Sequence, residues 1–171
     1  MSGANWSRLE EDIQSTALQW INEFIAIAPD IVMAFTPQII TSVLPSLAHE
    51  VSSIRNIATE TNRNLQKLVL QNPVSKARSD DRNWSSQDDP FDYQKTVSEL
   101  RLQFLNENEE TRVASLEWLL MLHKKAPSKV RHVAKEKNVY ACALLIIFTA
   151  LDPGIRRRYL PSFTKDAIGF I

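Results

Sequence analysis

Apolar residues recur along this chain at spacings of three and four, in stripes separated by short polar stretches. Ile40, Val43, Leu44 and Leu47 form one stripe, and Val97, Leu100 and Phe104 another. Each predicts one buried face of an amphipathic helix. Polar turns are predicted over residues 49–53 and 106–110, and a second amphipathic run follows each, over 54–69 and 111–126. Glu109 and Glu110 stand where the positive end of a helix macrodipole belongs. A further helix is predicted ahead of these, over about 9–28, with no partner helix before it.

The stripes repeat one another. A shift of 41 residues lays Ile13, Ala17, Trp20 and Phe24 on Ile54, Ala58, Thr61 and Leu65. A further shift of 57 brings in Thr111, Ser115, Trp118 and Leu122. The same shift of 57 matches Ile40, Val43, Leu47 and Arg55 to Val97, Leu100, Phe104 and Arg112. Ala28-Pro29 and Ala126-Pro127 are shared by the first and third copies, as are Leu18 and Leu116. A two-helix period near 41 is the sequence mark of an all-α HEAT/armadillo-type solenoid of stacked antiparallel helix pairs. Trp20 and Trp118, at equivalent places, are expected to fill space between stacked helices.

This reading divides the chain into HEAT-like helices over 8–70 (one half repeat and one pair), a polar linker over 71–90, a helix pair over 91–130, and a divergent tail over 131–171. The linker is expected to be disordered and open to trypsin at Lys76, Arg78 or Arg82, being too poor in apolar groups to offset the entropy of ordering it. Its Trp84 reads equally as a docking residue or as an anchor folding back, and Ser75, Ser79, Ser85 and Ser86 read as ordinary linker serines. A shift of 44 sets Ala141, Leu144, Phe148 and Arg156 on Val97, Leu100, Phe104 and Arg112. Beyond that, Pro161 is expected to break the second helix, and Asp166 falls on Leu122.

Composition agrees with helices. There are only three glycines against eight prolines, and Pro29, Pro37, Pro73, Pro90 and Pro127 are placed to start or stop apolar runs. Pro45 lies inside such a run and is expected to kink or divide it. Formal charge cancels overall, but residues 1–70 carry 4 basic and 7 acidic residues while 131–171 carry 7 and 3. Arg112, Lys124, Lys125 and Lys129 are balanced by Glu109, Glu110 and Glu117, which argues for a solvated face rather than a nucleic-acid ridge.

Candidate chemistry is thin, and catalytic, cofactor-binding and metal residues are all read as none. No glycine-rich loop precedes a helix, and His49, His123 and His132 lack ligand spacing. His123 and Glu117 lie six apart and cannot share a helix face. The Asn106 to Glu110 run lacks the glycine of a calcium loop and reads as an inter-helix turn. Cys142, the one cysteine, reads as a small buried hydrophobe and sets an intracellular default. No secretory signal opens the sequence, and its most apolar run, 139–151, is too short to span a bilayer.

The run from Gln103 through Phe104-Leu105-Asn106-Glu107-Asn108-Glu109-Glu110-Thr111-Arg112 to Ala126-Pro127, with Phe91-Asp92-Tyr93 before it, resembles the ArPIKfyve family of HEAT-repeat scaffolds. Gln19 to Phe24 and Val43-Leu44-Pro45-Ser46-Leu47 resemble the preceding repeats, so the likeness spans about 8–130. It implies a non-catalytic scaffold in the complex that makes phosphatidylinositol 3,5-bisphosphate. The implied partners are a FYVE-domain phosphoinositide 5-kinase and a Sac-domain phosphatase, on the cytoplasmic face of vacuole or late endosome membranes, with peripheral attachment. The family's self-association region lies outside the matched stretch, so self-association does not carry over, and no partner-binding residue does either. The alternative is a generic HEAT-repeat adaptor for transport or phosphatase assembly. Because the likeness stops near Val130, the tail reads as unrelated sequence in preference to a degenerate half repeat.

Overall fold

The computed structural model describes residues 3–73, 90–136, 138–149 and 151–168. These residues form eight α-helices and no strand, packed in pairs of the HEAT type. They fall into two compact units, Met1–Asp92 and Tyr93–Ile171. The expected linker, with Trp84 and its tryptic sites, lies almost wholly outside the described residues.

Unit 1 is built from α1 (Gly3–Ile27), α2 (Pro29–Ser46) and α3 (Ser52–Gln71). The α3 stripe is realised as buried Ile54, Ala58, Thr61, Leu65, Leu68 and Val69. Ala58 has little side chain, so α1 can approach closely, and α3 packs on both α1 and α2. The α1–α3 register is set by polar contacts at the edge of the apolar seam. Asn22 Nδ2 donates to Thr61 Oγ1 at 2.8 Å and Asn64 Nδ2 donates to Asn22 Oδ1 at 3.2 Å, while Gln14 Nε2 ties α1 to the end of α2 by donating to Ser46 Oγ at 2.9 Å. A slip along the seam would leave these partly buried groups without partners, which is costly.

Two expectations are corrected in this unit. Trp20 does not fill space between stacked helices: it is 57% exposed, its ring tilted against that of Phe24 at 5.8 Å, whereas Trp118 is fully buried. Periodicity marks a face suited to burial, but a neighbour must cover it, and α3 takes the opposite side of α1, around Leu18. Pro37 does not stop a helix either. It lies buried inside α2, between Met33 and Ile40, where burial on both sides outweighs the one lost backbone hydrogen bond. Pro45 stands in the last turn of α2, which ends at Ser46.

Unit 2 contains α4 (Tyr93–Gln103), α5 (Glu109–Lys125), α6 (Pro127–Glu136), α7 (Val139–Thr149) and α8 (Pro153–Ile168). Helix α5 is its centre, with Thr111, Ala114, Ser115, Leu116, Trp118, Leu119 and Leu122 all buried. Its ends suit the macrodipole, acidic at Glu109 and Glu110 and basic at His123, Lys124 and Lys125. Buried Lys129 on α6 lies over the Tyr93 ring, 5.1 Å from the centroid, so its charge is partly met by the ring face. Asn138 takes a positive φ of 52° between α6 and α7, a conformation asparagine tolerates. Pro161 is another correction: α8 runs through it instead of breaking there.

Two joints in the molecule are near copies. α1 meets α2, and α5 meets α6, through a single alanine before a proline: Ala28 at φ −138°, ψ 60° and Ala126 at φ −141°, ψ 69°. In both, the alanine N–H donates back to the residue four before it, and its carbonyl accepts from the residue four after it.

Candidate interaction surfaces

The arginines matched in sequence share a task. Arg55 Nη1 donates to the carbonyls of His49 and Glu50 at 2.6 and 2.7 Å. Arg112 Nη1 donates to those of Asn106 and Glu107, the equivalent residues, at 2.9 and 2.7 Å. A turn between helices leaves carbonyls outside any helical ladder, and here the second helix of each pair supplies a guanidinium to them. Arg156 does similar work between α7 and α8, its Nε donating to Ile147 O at 3.0 Å. The sequence match located these side chains, but it gave no sign of the carbonyls they hold.

The acidic turn is spoken for in the same way. Asn106 Oδ1 accepts from Asn108 N at 2.9 Å, and Glu109 Oε1 accepts from Asp152 N at 2.7 Å. Among the described residues, no group of three or more His, Cys, Asp or Glu side chains is arranged to hold a metal ion.

His123 and Glu117 point to different neighbours, as their spacing requires. His123 Nδ1 and the Tyr140 hydroxyl are hydrogen-bonded at 2.7 Å, with the rings edge to face. The Tyr159 hydroxyl donates to Glu117 Oε1. Burial, with that hydrogen bond and the charge of Glu117 adding to it, pushes the Tyr159 phenol up to about 12. These pairs bind α7 and α8 to α5 and form no nucleophile–base set. Neither tyrosine contact was signalled by the sequence, since the partners lie 17 and 42 residues apart. Cys142 is half-buried, more open than the sequence suggested, and His49 Nδ1 accepts from Val51 N in the α2–α3 turn.

What remains is surface. The outer side of α1 carries exposed Ile13, Trp20, Phe24 and Ile27, and an open hollow there is lined by Asp12, Ile13, Thr16, Ala17 and Trp20. In unit 2, Leu102 and Leu105 are exposed around the α4–α5 turn. No described helix is long and apolar enough to cross a membrane.

Sequence comparison places this chain among known proteins. It is 30% identical over 118 residues to Protein VAC14 homolog of Schizosaccharomyces pombe, a match covering 69% of this chain and 14% of that one. The chain is a relative of the VAC14 proteins. These are orthologues of ArPIKfyve, so the resemblance read from residues 103–127 holds. The VAC14 homolog of Arabidopsis thaliana is 28% identical over 121 residues, covering 71% of this chain and 14% of that one. Vacuole morphology and inheritance protein 14 of Saccharomyces cerevisiae is 29% identical over 176 residues, covering 96% of this chain and 19% of that protein. This last VAC14 match takes in most of 131–171 as well. The chain thus spans less than a fifth of the length of these relatives. No protein-family model matches it, and no solved structure does.

Proposed function

We propose that this chain is a non-catalytic scaffold segment of the complex that regulates phosphatidylinositol 3,5-bisphosphate synthesis at vacuole and endosome membranes. The observation that carries the reading is its similarity to VAC14 proteins of two yeasts and a plant, one of them named for vacuole morphology and inheritance. The structure supports a scaffold in kind: helix pairs whose polar side chains are engaged in turns and helix contacts. On this reading residues 8–70 and 91–130 supply helix pairs to a longer surface, and 71–90 joins them. A FYVE-domain kinase and a Sac-domain phosphatase are the partners, held together so that each works at high effective concentration on one membrane. Attachment to that membrane is peripheral, through the complex.

The test is a swap. In yeast, the matching stretch of the resident VAC14 protein is replaced by this chain, and phosphatidylinositol 3,5-bisphosphate and vacuole shape are measured. Retained lipid, with kinase and phosphatase both recovered in a pull-down, is the expected result. Loss of all three from a well-expressed swap, with transport factors recovered instead, moves the chain to the adaptor class.

A further inference from the structure

The α2–α3 and α4–α5 turns are copies offset by 57 residues. In each, an arginine of the second helix holds two turn carbonyls, Arg55 those of His49 and Glu50, Arg112 those of Asn106 and Glu107. Each turn also has one side chain that accepts from the backbone N–H two residues on. In α4–α5 it is Asn106, whose Oδ1 accepts from Asn108 N at 2.9 Å. In α2–α3 the same place is held by His49, whose Nδ1 accepts from Val51 N at 3.1 Å. Val51 and Asn108 are the N-cap residues of α3 and α5, and neither caps its helix with its own side chain. The acceptor two residues earlier therefore fixes the backbone that enters each helix.

The two acceptors differ in one respect. An amide oxygen accepts whatever the pH, but imidazole Nδ1 accepts only in the neutral ring, with the proton on Nε2. Histidine takes up a second proton between about pH 8 and 5, and both ring nitrogens are then donors. An Nδ1–H would point at the Val51 N–H, so proton uptake and the closed turn exclude each other.

The charges near the ring do not replace what it loses. Arg55 of α3 is fixed on the carbonyl of His49 itself, at 2.6 Å, so a protonated ring brings a second positive charge to the same turn. Helix α2 has no charged residue after Asp30. Glu50 adjoins the ring in the chain and is exposed. On α1, which reaches the end of α2 through Gln14 and Ser46, Glu10 and Glu11 stand one turn before Gln14. Such carboxylates ease the charging of a ring; they do not restore its acceptor.

We propose that His49 makes the α2–α3 turn a proton-sensitive joint, closed while the ring is neutral and released when it is protonated. The α4–α5 turn, built on Asn106, keeps its acceptor over the same range. The stability that His49 contributes is present at neutral pH and is lost as pH falls. The joint is internal to unit 1 and needs no partner.

The test is thermal melting of the whole chain between about pH 8 and 5, for the parent, His49→Asn and His49→Ala. The asparagine variant copies the α4–α5 turn and serves as the reference at every pH. The alanine variant has no acceptor, so its midpoint should lie about 2–4 °C below the reference throughout. The parent should match the reference at the neutral end and fall to the alanine value at the acid end. His123 and His132 are the same in all three chains, so their titration cancels in the differences. Exchange of the Val51 amide, followed by NMR, places the loss: at the acid end it should be faster in the parent than in the asparagine variant. A parent that tracks the asparagine variant over the whole range overturns the proposal. So does an alanine variant as stable as the parent at neutral pH, because the ring then does not hold the turn.

Discussion

Trp118 and Trp20 are the same residue at equivalent places in a repeat, yet one is fully buried and the other 57% exposed. Their truncations should separate accordingly. Trp118→Ala should cost about 3–5 kcal/mol, from lost transfer energy and the cavity left behind. Trp20→Ala should stay within about 0.5 kcal/mol, the range of ordinary surface changes. Urea melts of the two variants measure both. The stripe was legible in the sequence; which copy is covered was not, because that depends on a neighbour and not on spacing. Tyr159 offers a pH test. Its phenol is raised from 10.0 to about 12, so between those values the unfolded chain has released a proton that the folded one keeps. Stability from this group is complete below pH 10 and is lost as pH rises toward 12. Tyr159→Phe should therefore show a shallower fall in thermal midpoint over that window than the parent chain does.

At the scale of elements, the second helix of each pair was legible to within a few residues because its stripe is long and regular, whereas α2 begins at Pro29, well before the stripe that starts at Ile40. α3 and α5 begin and end close to the predicted 54–69 and 111–126. The prolines misled. Pro37 and Pro161 read as breakers from local geometry, yet α2 and α8 continue through them. The arginine ties between helices were half legible: Arg55, Arg112 and Arg156 aligned, but a carbonyl has no sequence signature. Arg112→Ala removes two charge-assisted bonds to the α4–α5 turn. It should cost about 2 kcal/mol. Arg112→Lys should recover only part of this, since an ammonium presents a point charge where the guanidinium presents a fork. Thermal melts of the pair decide it.

For the molecule as a whole, the principal contacts among the described residues join helices no more than three places apart in the chain. Helical packing between near neighbours in the chain favours fast folding, so the main refolding phase should be complete within about milliseconds. Stopped-flow fluorescence on buried Trp118 reads this directly, and a dominant phase of seconds would show that contacts between distant segments limit folding. The family was legible from the Gln103 to Pro127 run, and the relatives confirm it. Partner-binding residues were not, because a surface defined by exposure is known only once the helices are placed.

The one-residue elbows at Ala28 and Ala126 carry a further consequence. Two helices separated by a single residue are close to being one long rod, and fusing them would throw the second helix outward, free to invade another molecule. That exchange is the usual route to domain-swapped dimers. Here the proline after each alanine disfavours the helical region for the residue before it, and both alanines sit outside that region. The hinge is locked in its bent state by covalent geometry, before any packing acts on it. The prolines at these joints thus protect each molecule from trading helices with its neighbours.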